Sequence, residues 1–185
     1  DLSVASPLVD GDPEKNTEPY ITKRLWHEME AAGVKVAIGR YDEARMIYTS
    51  PLFVKGNGLI EENRVVHLGM DLYAEAGSAV HAPVAGKVFA FSTNEAPQDY
   101  GPVVILEHAT DQGEVFYTLY GHLSTDTLKG LYAGKPIARG ERFARLGAAD
   151  VNGGWTPHLH FQIITDLLDM GCDFPGVARS GERSL

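Results

Sequence analysis

Between Val65 and Ile164 the chain breaks into short β-branched and aromatic runs, each closed by Gly, Pro, Asn or Asp, and this punctuation restricts the fold most. The clearest runs are 84–91, 103–108, 114–120, 142–146 and 159–164. Segments of that length, separated by turn residues, form antiparallel strands joined by loops, so a mainly β (β-rich α+β) domain is expected. One helix stands out upstream. Thr17 can cap it, Glu18 and Pro19 suit its first turn, Ile21, Leu25, Met29 and Ala32 recur on one face, and Gly33 stops it. A strand over 34–38, another over 45–54 and a turn at Lys55-Gly56-Asn57-Gly58 are expected to follow. The organisation reads as a linker or arm over 1–16, an N-terminal helix and strand extension over 17–60, the principal domain over 61–168, and a C-terminal tail or linker over 169–185.

Composition removes several functions. A formal charge of -9 repels phosphate backbones and anionic lipid surfaces, so nucleic acid is not an expected partner. No apolar run reaches the ~18 residues that a membrane span needs. The single cysteine, Cys172, cannot close an internal disulfide and reads as a small buried thiol. The chain opens at Asp1 with no basic segment followed by an apolar stretch, which reads as a piece of a longer protein.

Four of the seven histidines fall in three short segments, His67-Leu-Gly-Met-Asp71, Tyr120-Gly-His122-Leu-Ser124 and Pro157-His158-Leu-His160-Phe161. Side chains alternate along a strand, so His158 and His160 share one face and Leu159 packs on the other. Gly69 disfavours a helix between His67 and Asp71, which leaves a strand running into a turn. Catalytic zinc takes three ligands from imidazole and carboxylate and keeps a fourth position for water, a count that two histidines and one aspartate satisfy. Two further imidazoles nearby could move protons and bond a developing oxyanion. Taken singly, His-x-x-x-Asp is more often a surface hydrogen-bonded pair. The three segments in this order are hard to explain as satisfied structural histidines.

From His67 to Gln162 the chain resembles the M23 family of zinc endopeptidases, the lysostaphin/LytM type. The likeness includes Gly77-Ser-Ala-Val-His-Ala-Pro-Val-Ala-Gly-Lys-Val88, Tyr100-Gly101 with the strands after it, and Gly140-Glu-Arg-Phe-Ala-Arg-Leu-Gly147. The resemblance implies an antiparallel sheet that floors a groove with loop walls. It also implies one Zn2+ per chain on His67, Asp71 and His160, and His122 and His158 as the catalytic pair. The activity implied is hydrolysis of glycyl or peptidoglycan-type peptides. His108 is then a structural strand histidine, His81 a loop residue and His27 a solvent-facing helix residue. Thr156 and Gln162 stand where the family usually has Gly and Glu, and no tyrosine lies in Glu61 to Val66 to assist from before the first histidine. Neither Tyr48 nor Tyr73 can be given that role from sequence.

A second resemblance concerns context. The chain through Thr49, with this version of the domain, is similar to a middle segment of bacterial proteins that also carry a phosphotransferase-like domain and a class III aminotransferase. It implies other domains of the parent chain as partners and a cytoplasmic location, where the M23 likeness alone implies the cell envelope or secretion. The alternative to an enzyme is a non-catalytic metal-binding or regulatory module of such a protein. A zinc carboxypeptidase of the D-alanyl-D-alanine type would need a longer His-to-Asp gap and a Glu-x-x-His segment, and neither is present.

Overall fold

The computed structural model describes residues 1–56 and 61–182. Its strands in chain order are β1 (Ala37–Gly39), β2 (Glu43–Ala44), β3 (Val54–Gly56), β4 (Glu61–Asn63), β5 (Val66–His67), β6 (Met70–Tyr73) and β7 (Ala79–His81). There follow β8 (Gly86–Asn94), β9 (Gly101–Ala109), β10 (Val115–Gly121), β11 (Pro136–Ile137), β12 (Arg142–Arg145), β13 (His158–Ile164) and β14 (Val177–Ala178). The α-helix, α1, spans Tyr20–Ala31. Seven strands make one antiparallel sheet in the order β1-β6-β13-β10-β9-β8-β11. A mainly β fold is thus what the punctuated runs specify.

Period two explains how this sheet serves two cores at once. On β9, Val103, Val104, Ile105 and Leu106 are all fully buried, which a strand achieves only when both its faces are covered. Val104, Leu106, Tyr120 and Leu159 pack on one side with Val88, Leu123 and Leu146. Val103, Ile105, Leu119 and Ile164 pack on the other with Tyr100 and Leu167. Leu159 therefore faces away from His158 and His160, as the alternation requires.

Helix α1 buries Ile21, Leu25 and Met29 in a third core shared with Leu2, Ile47 and Tyr73. Each such side chain contributes roughly 1.5–3 kcal/mol on burial. The helix starts later than expected: the Thr17 carbonyl accepts from the N–H groups of Tyr20 and Ile21, so Thr17 stands ahead of the first turn. Ala32 is an exposed cap, not a core contact, and Gly33 ends the helix at a φ of 65°.

Other expectations need correction. Residues 1–16 are no loose arm: Leu2 and Asn16 are buried, and the Asn16 amide bonds the backbone N–H and C=O of Asp10 at 2.7 Å each. The first short strand begins at Ala37, not at 34. Residues 45–54 do not form a strand, because Ser50 accepts from the Leu52 N–H and Pro51 opens a 3-10 turn through Phe53; only Val54 is extended into β3. Lys55 and Gly56 of the expected turn belong to β3, and its Asn57 and Gly58 lie outside the described residues. His81 closes β7 instead of lying in a loop, and Cys172 is half-buried, with burial pushing its thiol up to about 11. Of the expected tail, the described residues 169–182 stay with the domain, for β14 pairs with β5 in a three-stranded sheet of order β14-β5-β2.

Candidate active site

The site forms where the large sheet meets this three-stranded one. His160 on β13 lies opposite Asp71 on β6 and opposite Gly121 on β10. His67 sits on β5, opposite Val177 of β14 and Glu43 of β2. Leu68 and Gly69 carry the chain from one sheet to the other, so the expected strand-then-turn is two short strands in different sheets. The crossing needs glycine: a Cβ on Gly69 would lie 2.5 Å from His160 Cε1 and 2.6 Å from its Nε2.

One ligand atom from each of His67, Asp71 and His160 lies within 4.8 Å of the others, and all three residues are buried. Asp71 Oδ1 is 3.1 Å from His67 Nε2 and 3.3 Å from His160 Nδ1, and those two nitrogens are 3.1 Å apart. The far nitrogen of each ring fixes its tautomer. His67 Nδ1 donates to the Arg40 carbonyl at 2.8 Å, and His160 Nε2 donates to Gln162 Oε1 at 3.1 Å. Both facing nitrogens are then bare lone pairs beside a buried carboxylate oxygen that has no hydrogen-bond partner. Three converging lone pairs with no proton between them repel one another unless a cation sits among them. The donor set, two imidazoles and one carboxylate, suits zinc.

His122 and His158 stand beside this cluster with ring centroids 4.3 Å apart. His158 Nδ1 donates to the Thr156 carbonyl at 2.6 Å and His122 Nδ1 to the Asn152 carbonyl at 2.8 Å. Each therefore keeps Nε2 free as an acceptor, and His158 Nε2 is 3.7 Å from Asp71 Oδ1. His122 holds a left-handed backbone, φ 61°, just past the end of β10. Its N–H donates to the Tyr100 carbonyl and its own carbonyl accepts from the Gly147 N–H, which fix the conformation that aims the ring inward.

Burial sets the protonation of the site. It lowers His67, drives His122 well below the ordinary histidine range with help from His158 and His160, and brings His158 down to about 4 against the pull of Asp71. Burial alone would raise Asp71, but the permanent charge of Arg45 opposes it, and the carboxyl is held well below its usual range. An ionised carboxylate beside neutral imidazoles is the protonation state that a metal requires.

Sequence reasoning missed several supports. Tyr73 stacks on His158 at 4.8 Å and donates to Asp71 Oδ2 at 3.3 Å. Arg45 donates to the same oxygen at 2.6 Å. Asn152, wholly buried, bonds the Trp155 and Gly147 backbone and shapes the loop whose carbonyl holds His122. Gln162 was legible, since it follows His158 and His160 at a spacing of two. Above the cluster opens a cavity of about 260 Å³, walled by Tyr48, Phe53, Tyr100, Trp155 and Phe174, with Arg64 among its lining residues. Away from it, His108 bonds the Ala85 carbonyl and Thr118 as a structural strand residue, and His27 is exposed on α1.

An antiparallel sheet that presents a His-Asp-His cluster with two flanking imidazoles is a framework suited to hydrolytic chemistry. Residues 65–170, more than half of the chain, match Peptidase family M23, and the chain belongs to that family. Among solved structures it is similar to the catalytic domain of the antimicrobial peptidase lysostaphin from Staphylococcus simulans. The identity is 22%, the TM-score 0.49, and the match covers 70% of this chain and 81% of that one. The solution structure of lysostaphin matches at 20% identity and TM-score 0.49, over 74% of this chain and 46% of that one. A catalytic-domain mutant of the prophage-encoded M23 protein EnpA from Enterococcus faecalis matches at 20% and 0.43, over 63% and 82%. A search of curated proteins finds no significant match.

Proposed function

We propose that this domain is a zinc-dependent endopeptidase acting on glycyl or peptidoglycan-type peptides, with His67, Asp71 and His160 as ligands and His122 and His158 as the catalytic pair. The observation that carries the reading is the meeting of two bare imidazole nitrogens and an unpartnered carboxylate oxygen in a buried pocket. Zinc bound there supplies a Lewis acid for the scissile carbonyl and lowers the pKa of a bound water to about 7.

The protein's own groups do the rest. His122 and His158 are fixed with their Nε2 atoms unprotonated, so either can accept a proton from the attacking water and later return it to the leaving amine. Once protonated, the same N–H can donate to the developing oxyanion. The cavity, walled largely by aromatic side chains, leaves room for a peptide beside these groups.

Purified protein is expected to hold close to one zinc per chain by elemental analysis and to cleave a pentaglycine or peptidoglycan-derived peptide. His160→Ala should lose the metal, while His122→Ala should keep it and lose cleavage by a factor of roughly 10²–10⁴. Zinc held tightly with no cleavage of any such peptide near neutral pH would make the domain a metal-binding module instead.

A further inference from the structure

Arg45 lies upstream of the segment matched to the family, yet it reaches the centre of the site. It is 1% exposed, and a guanidinium so buried is tolerated only when carboxylates answer its charge. Two do. Nε donates to Glu43 Oε2 at 2.7 Å and Nη1 to Asp71 Oδ2 at 2.6 Å. Glu43 is itself buried and accepts the Leu2 N–H through Oε1. The Arg45 N–H donates to the Val65 carbonyl at 2.8 Å, which ties this residue to the start of the strand carrying His67. Space for the guanidinium exists because residue 39 is glycine: a Cβ there would lie 2.5 Å from Arg45 Nη2.

The two oxygens of Asp71 are consequently unlike. Oδ2 accepts from Arg45 and from the Tyr73 hydroxyl, whereas Oδ1 has no hydrogen-bond partner and points at the two bare nitrogens. A carboxylate held on one side only by weak donors could turn or offer both oxygens to an ion. A single charge-assisted bond from Arg45 Nη1 at 2.6 Å, with the guanidinium anchored through Nε on Glu43, opposes both.

We propose that Arg45 is a positioning residue of the metal site: held by Glu43, it occupies one oxygen of Asp71 so that only Oδ1 is presented to the ion. This rests on the zinc reading given above. Residues 1–56 are then part of the metalloenzyme, because the carboxylate ligand is oriented from within them.

The test compares wild type, Arg45→Lys and the double variant Glu43→Gln/Arg45→Gln. The double variant removes the buried charges of the upstream pair together and leaves two amides able to bond each other. Zinc affinity is measured by chelator competition and ligand geometry by the cobalt(II) absorption spectrum, with near-ultraviolet circular dichroism reporting the fold. Zinc binding should weaken about 10–100-fold in both variants, the range found when partners of metal ligands are removed, and the cobalt bands should shift. A folded variant whose cobalt spectrum and zinc affinity stay within threefold of wild type overturns the assignment, even if its unfolding midpoint falls. If the double variant does not fold, Arg45→Lys is read by the same criteria. Wild-type protein that binds neither metal would instead refute the zinc reading itself.

Discussion

His158 shows how one side chain can couple the chemistry of the site to acid stability. Its ring is stacked on Tyr73 and bonded through Nδ1 to Thr156, and burial brings its pKa from 6.5 down to about 4 against the pull of Asp71 and of that bond. In the unfolded chain the same ring titrates near 6.5. Between these values the unfolded state binds the extra proton, so stability is complete above about pH 6.5 and falls as the pH drops toward 4. For metal-free protein the loss from this residue is roughly 3 kcal/mol across that window. Urea unfolding at pH 7.5, 5.5 and 4.5 in the presence of chelator measures it. His158→Phe, which keeps the stacking on Tyr73, should make that profile shallower, leaving the part carried by His67 and His122, while abolishing hydrolysis; an unchanged profile would mean that those other groups carry the whole acid transition. The alternation that pairs His158 with His160, and adds Gln162 on the same face, was readable from sequence because strand geometry has period two. Arg45 was not, since an arginine far along the chain from Asp71 gives no local pattern before the fold brings them together.

Strand length decides what could be read at the next level. The strands β8, β9, β10 and β13 span seven to nine residues, and their runs of Val, Ile, Leu and Tyr announce them. The two-residue strands β2, β5 and β14 are too short to show any period, yet they place His67. Residues 45–54 look β-rich in composition, but Ser50 and Pro51 favour a turn, and Arg45 is drawn inward by two carboxylates. The joint between β5 and β6 is tight. An added methyl at Gly69 must displace the His160 ring or the Phe161 carbonyl, 2.9 Å from the Cβ position. Gly69→Ala should therefore cost about 1–3 kcal/mol, the usual penalty of overpacking, and lower zinc content together with activity. Denaturant titration of metal-free protein and elemental analysis of the loaded form separate the two effects. Full zinc occupancy in this variant would show that the joint has more slack than the distances allow.

Three cores meet around the site: one on each side of the sheet, and one formed by α1, Leu2 and Ile47 against Tyr73. The terminal segments are what close it, β2 and Arg45 from the amino-terminal side, and β14 with Phe174 and Pro175 from the carboxyl-terminal side. Sequence made the central sheet legible and left these segments as an extension and a tail, because their role is set by contacts with distant strands. Since β2 and β14 both pair with the strand of His67, an ion that fixes His67 also fixes its neighbours on either side. At zinc one hundredfold above its dissociation constant the folded state gains about 2.7 kcal/mol, which for a chain of this size raises the melting temperature by roughly 5–11 °C. The gain should be visible locally as well. Chelator-treated protein is expected to be cut faster by protease within 171–182 and 45–56, and zinc should suppress both cuts together. A melting shift of the expected size with unchanged cleavage of the tail would mean that β14 is carried by Phe174 and its own packing, independent of the metal.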